Sequence, residues 1–212
     1  MTAESVSTRP VSTTAPVEPG DLTWREQKKL LTRKALHDAA RRLVLEHGVN
    51  AATIEGICAE AGVSPRTFFN YFPSKAAAAL GLPDLRIADE ERERFLTGTG
   101  NAVHDLCELL GAVASGAGDR LSDRESKQEL LARRPELQPE LYSWLAGFRR
   151  QVMAIASIRL PEQSARAAAT LALAALTEAV QDGDRTRDDL GELLWAAVRE
   201  MCAVAGCAAP AA

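Results

Sequence analysis

Residues 53–75 read TIEGICAEAGVSPRTFFNYFPSK. Four aromatic side chains, Phe68, Phe69, Tyr71 and Phe72, fall within five positions, directly after Ser64, Pro65, Arg66 and Thr67. The punctuation divides this stretch into short helices. Thr53 is placed to cap TIEGICAE, in which Ile54, Ile57, Cys58 and Ala61 form one apolar face, and Gly62 breaks it. Ser64 caps the next helix, with Pro65 at the first position, where a missing N–H costs nothing. Phe72-Pro73 ends that helix, and Ser74 caps another that begins at Lys75.

Two short helices joined by a glycine turn follow the helix-turn-helix plan, whose second helix enters the DNA major groove by its N-terminal residues. On that helix Phe68 and Phe72 lie four apart and suit packing on the helix before it, whereas Arg66, Thr67, Phe69, Asn70 and Tyr71 fall at the rim or on the opposite face. Hydroxyls and helix N–H groups suit phosphate oxygens, and Arg and Asn suit base edges.

Working outward, T23-W-R-E26 fits a capping box ahead of a long helical pattern. Leu30, Leu31, Ala35, Ala39, Ala40, Leu43 and Val44 recur at helical spacing as far as Gly48. Residues 1–20, rich in Ser, Thr and Pro without hydrophobic period, read as a disordered arm. Beyond residue 80, an acidic helix over LRIADEERERF is expected, then helices near 101–115, 122–134, 137–159, 162–181 and 186–205, with Ser122 and Glu125 as a second capping box. The last two are apolar around much of their circumference and need burial on more than one side.

Composition agrees with an all-α chain. Hydrophobic residues make up 46% of the 212, enough for a real core, while aromatics are 5% and β-branched clusters at period two are missing. No apolar run reaches about 18 residues and no leader pattern opens the chain, so a cytoplasmic location is expected. Cys58, Cys107, Cys202 and Cys207 have no metal or disulfide spacing, and neither a cofactor nor a metal is expected. The pair His104 and Cys107 is weak evidence for a metal. Charge is partitioned. Residues 21–80 hold nine Lys or Arg against six Asp or Glu, whereas residues 81–212 hold fifteen against twenty-one. An acidic protein thus keeps its basic part where DNA lies. Within it, Arg25, Lys28, Lys29 and Arg33 form a cluster within reach of a phosphate backbone.

The segment T53-I-E-G-I-C-A-E-A-G-V-S-P-R-T-F-F-N-Y-F-P-S-K75 resembles the DNA-binding signature of the TetR family of transcriptional regulators. That family shows a Thr-led helix, an A-G-V-S turn, a T-x-Y-x-Y-F recognition helix and a following Lys, in this order. The resemblance covers residues 22–80 in organisation and 53–75 in detail. It implies a three-helix DNA-binding domain over 21–80 and a helical effector-binding and dimerisation domain over 81–212. It further implies a homodimer, usually a repressor, that binds a palindromic double-stranded operator and is released by a small molecule, with the helix after Lys75 as the lever between domains. Thr53, Thr67, Tyr71 and Lys75 are then expected on phosphates, with Ser64, Lys28 and Lys29 nearby, and Arg66 and Asn70 on bases. Phe69 departs from the family's Tyr and is expected to touch sugar or a thymine methyl.

Two expectations concern the second domain. His104, Cys107, Trp144 and Phe148 are candidates to line an effector pocket, although aromatic pairs such as Trp144 and Phe148 are more often core. The pocket region is rich in apolar residues, which favours a hydrophobic effector. Ala169, Leu173, Leu176, Leu190, Leu194 and Trp195 are candidates for a two-fold four-helix dimer interface, with Trp195 as its central anchor. An enzyme is disfavoured, since His37, His47 and His104 have no nucleophile or carboxylate at a motif spacing and no phosphate-binding glycine loop is present. A sequence-indifferent DNA architectural protein calls for a more basic chain.

Overall fold

The computed structural model describes residues 23–117, 124–181 and 190–206, and every regular element among them is helical. The expected arm over 1–20, the cap at Ser122, Cys207 and residues 186–189 of the last expected helix lie outside the described residues.

Helix α1 runs Trp24–His47 and opens on the expected capping box. The Thr23 hydroxyl accepts from the Glu26 N–H, and the Glu26 carboxylate accepts from the Thr23 N–H at 2.9 Å. The two bonds satisfy orphan donors reciprocally, and the Thr23 hydroxyl, donating to the Glu26 carboxylate at 2.8 Å together with the Thr23 N–H, holds that carboxyl below its ordinary pKa. At the other end Gly48 takes φ +85°, a conformation that favours glycine. The helices α2 (Ile54–Ala61) and α3 (Pro65–Tyr71) follow, capped by Thr53 and Ser64, with Gly62 in the left-handed region between them. Helix α4 covers only Lys75–Ala79. A lever from the first unit into the second is therefore not one long helix, because the chain leaves α4 at Gly81 and runs without regular structure to α5 (Asp89–Thr97).

Five more helices follow among the described residues: α6 (Ala102–Ala117), α7 (Arg124–Arg133), α8 (Gln138–Arg159), α9 (Glu162–Gln181) and α10 (Leu190–Val204). A 3₁₀ turn at Pro135–Leu137 joins α7 to α8. Two cores result. The first gathers Leu36, Ala40 and Val44 of α1, Ile57 of α2, Phe68 and Phe72, and Ala77 to Leu80. It also recruits Leu82, Leu130 and Leu137, so the packing of the N-terminal helices draws on residues well beyond position 80. The second core packs α6, α8, α9 and α10 together with Phe95 of α5 and Leu85, and Trp144 borders both cores. Polar contacts add to the junction. Arg134 donates to the Leu45 carbonyl at 2.6 Å, Ser74 donates to Glu140 at 3.0 Å, and the Trp144 indole N–H donates to the Pro83 carbonyl at 2.9 Å.

Candidate nucleic-acid interface

Helix α3 has a buried and a bare side, and the sequence period sets which is which. Phe68 is fully buried and Phe72 nearly so, their rings 6.2 Å apart, while Phe69 meets Phe68 edge-on and remains 56% exposed. Arg66 and Asn70 are exposed beside Phe69, and Thr67 and Tyr71 are half-buried at its flanks. A guanidinium, a carboxamide and an aromatic ring thus share one solvent-facing side of a helix only seven residues long. A firm apolar floor fixes that side in space. These are the side-chain types that read base edges and thymine methyls.

The expected phosphate ligands gather at the ends of the short helices. Thr53 Oγ1 accepts from the Gly56 N–H at 3.1 Å, and Ser64 Oγ accepts from the Thr67 N–H at 3.2 Å while bonding the Thr67 hydroxyl at 2.9 Å. Each oxygen is therefore fixed by its own helix cap. Thr53, Ile54, Glu55, Pro73, Ser74 and Lys75 line an open groove of about 460 Å³ beside α3.

Two basic residues of this region have other work. Lys75 is half-buried, and its ammonium donates to the Ala52 carbonyl at 2.8 Å and the Asn50 carbonyl at 3.4 Å, so it fastens the loop before α2. Arg33, grouped by sequence with the phosphate-reaching cluster, instead turns inward. It donates to the Tyr71 and Leu82 carbonyls and lies 4.2 Å over the Phe72 ring. Arg25, Lys28 and Lys29 are exposed on the first turns of α1, with the Lys28 ammonium 5.0 Å over the Trp24 ring. Leu30 and Leu31 are exposed as well, so the apolar pattern of α1 becomes core only from Leu36 onward. The sequence signal that Arg33 is structural was its place three residues ahead of Leu36, on the face turned to the recognition helix.

The four pocket candidates do not line one cavity. Trp144 and Phe148 border a cleft of about 410 Å³ between the end of α3 and α8, together with Tyr71, Phe72, Leu82 and Leu85. Exposed Asp84 and Arg86 and half-buried Glu140 add charge to its walls, which makes the cleft amphipathic rather than simply apolar. His104 and Cys107 are elsewhere. His104 packs edge-on against Trp195, 5.3 Å between centroids, and Cys107 is fully buried in the second core. Burial, with help from neighbouring Glu108, pushes the Cys107 thiol up to about 12, which disfavours the reactive thiolate.

Half of the interface candidates are also reassigned. Ala169 and Leu194 are fully buried and Trp195 nearly so, all within one chain. They have no area left for a partner, and Trp195 cannot anchor a seam. Leu173, Leu176 and Leu190 are half-buried at the edge of the same core and retain apolar surface.

Residues 36–79 match the family model for bacterial regulatory proteins of the tetR family. A curated relative, the HTH-type transcriptional regulator AlkX of Mycobacterium tuberculosis, is 35% identical over 80 residues, which is 38% of this chain and 36% of that one. The match therefore spans little more than a third of the relative's length. Among solved structures, NalD, the secondary repressor of the MexAB-OprM multidrug efflux pump in Pseudomonas aeruginosa, is 22% identical, covers 81% of this chain and 95% of its own, and scores a TM of 0.38. SmeT, the repressor of the Stenotrophomonas maltophilia efflux pump SmeDEF, is 22% identical over 81% of this chain and 89% of its own, again at 0.38. Likeness at that level carries no argument about ligand or operator.

Proposed function

From a chain that belongs, through its helix-turn-helix segment, to the tetR family of bacterial regulatory proteins, we propose a transcriptional repressor that binds a palindromic operator as a homodimer. A small molecule releases it. The observation that carries the reading is the division of α3, with Phe68 and Phe72 buried beneath exposed Arg66, Phe69 and Asn70. In the proposal Arg66 and Asn70 read base edges and Phe69 meets sugar or a thymine methyl. The Thr53, Ser64, Thr67 and Tyr71 hydroxyls take phosphate oxygens, with Lys75, Lys28 and Lys29 supplying charge. None of these roles asks the protein for bond-making chemistry.

Two recognition helices fit successive major grooves only when they stand about 34–36 Å apart, or a multiple of that. A ligand that prefers another spacing weakens DNA binding by its differential affinity for the two states. The cleft between α3 and α8 is the proposed effector site, with Trp144 and Phe148 as its aromatic wall. Tyr71 and Phe72 lie at the end of α3 and also border that cleft. Occupancy there acts on the recognition helix directly rather than through a long lever. The dimer contact is proposed on the half-buried edge of α9 and α10 at Leu173, Leu176 and Leu190.

Selection from a random duplex pool followed by competition at several salt concentrations tests the proposal. One palindrome should be bound at least about 10³-fold more tightly than random DNA. Equal affinity for all duplexes refutes it.

A further inference from the structure

Three side chains of the second unit converge without a part in DNA or effector binding. His104 and Glu108 stand one turn apart on α6, and Glu192 lies in the first turn of α10. Their donor atoms all lie within 4.8 Å of one another. We infer that His104, Glu108 and Glu192 form a zinc site that fastens α6 to α10.

The donor set comes first. One imidazole and two carboxylates are hard and borderline ligands of the kind zinc takes, and three protein ligands leave a fourth position for water. Two carboxylates facing one imidazole carry a net negative charge, which a dication neutralises. Spacing agrees. Zinc–ligand bonds of about 2.0–2.1 Å in a tetrahedron put neighbouring donors about 3.3–3.4 Å apart. His104 Nε2 and Glu192 Oε1 are 3.3 Å apart. Glu108 is exposed and has the rotamer freedom to close the remaining gap.

The surroundings orient the histidine as a ligand. Its Nδ1 faces the Asp105 carboxylate at 3.7 Å, and Asp105 is itself held by Arg159. That separation is longer than a hydrogen bond, so Asp105 stands behind the ring as a nearby negative charge, while Nε2 is the nitrogen turned to Glu192. Trp195 holds the ring edge-on from a third side.

The backbone leaves room for the cluster. Helices α6 and α10 cross so closely at Gly111 and Gly191 that a Cβ on Gly111 meets the Gly191 nitrogen at 2.5 Å. A Cβ on Gly191 collides with the Glu108 carboxylate. A glycine at this place therefore admits the carboxylate that completes the set, and the tight crossing holds the two helices that supply the donors. Cys107, buried three residues after His104, takes no part.

The test uses the full chain, stripped of metal by a chelator and without DNA, so its result is independent of operator recognition. Zinc chloride is titrated by calorimetry and cobalt(II) by visible absorption. One equivalent per chain, with cobalt bands of a four- or five-coordinate site, is the expected result, and excess magnesium leaves it unchanged. His104→Gln and Glu192→Gln each weaken zinc binding by about tenfold or more, with the helical circular dichroism unaltered. Glu108→Gln, at an exposed position, gives the same decision should either of the others fail to fold. Absence of saturable zinc binding in the wild-type chain, or binding that survives these substitutions, overturns the site.

Discussion

Arg33 donates from Nη1 to the carbonyl oxygen of Tyr71 at 2.8 Å, tying α1 to the last residue of the recognition helix. Its Nη2 reaches the Leu82 carbonyl at 2.6 Å, so one guanidinium braces both α3 and the exit from α4. Hydrogen bonds from a charged donor contribute about 1.5–3 kcal/mol. Arg33→Gln is expected to lower unfolding stability by that order and to weaken operator binding through a misplaced α3. Its salt dependence should stay that of the wild type, because no phosphate contact is lost. Denaturant titration and fluorescence anisotropy at several salt concentrations check this. A salt slope lower by about one unit would instead put Arg33 on the DNA.

Phe68 and Phe69 are adjacent, yet they should behave oppositely. Truncating fully buried Phe68 to Ala leaves a cavity and is expected to cost about 3–5 kcal/mol of stability. Phe69→Ala, at a largely exposed ring, should change stability by no more than about 0.5 kcal/mol while weakening operator binding. Thermal melts and operator titrations of the two variants separate the roles. Equal destabilisation would mean that the bare side of α3 is not bare.

The helix-turn-helix was legible because its information is local. Thr53, Ser64 and Ser74 each cap the helix expected of them, and the residue pattern of α3 names its own inner face. What escaped the sequence was long-range. Arg33 and Lys75 look like surface cations until the carbonyls of Tyr71, Leu82, Asn50 and Ala52 are brought to them by tertiary folding. The same holds for α9 and α10. Their apolar circumference correctly asks for burial on several sides, but period alone cannot say whether Ala169, Leu194 and Trp195 meet their own chain or another. Nor does any spacing in the sequence bring Glu192 to His104 across 88 positions.

Lys75 fastens the loop before α2 and, in the proposal, also supplies charge to a phosphate, so its substitution should show both effects. Lys75→Ala removes the donor to Asn50 and Ala52, so a drop in stability of about 1.5–3 kcal/mol is expected. It should also weaken binding to every duplex alike and flatten the salt slope by about one unit. Loss of stability with an unchanged slope would assign Lys75 to the loop alone.

The interface proposal makes paired predictions on α9 and α10. Leu173 is half-buried, and Leu173→Arg is expected to leave a folded monomer with much weakened operator binding. Leu194 is fully buried, and Leu194→Arg should unfold the chain rather than merely split a dimer, since it places an unpaired charge in the core. Sedimentation velocity with circular dichroism distinguishes the two outcomes. A wild-type monomer that still grips a palindrome tightly would contradict the dimer.

Base reading by the exposed side of α3 is tested most directly by the affinity of Arg66→Ala and Asn70→Ala for the selected operator and for single-base variants of it. Each substitution should cost about 1–3 kcal/mol on the preferred sequence and abolish discrimination at particular base pairs, with salt dependence unchanged. Wild-type affinity and wild-type discrimination in both variants would contradict it.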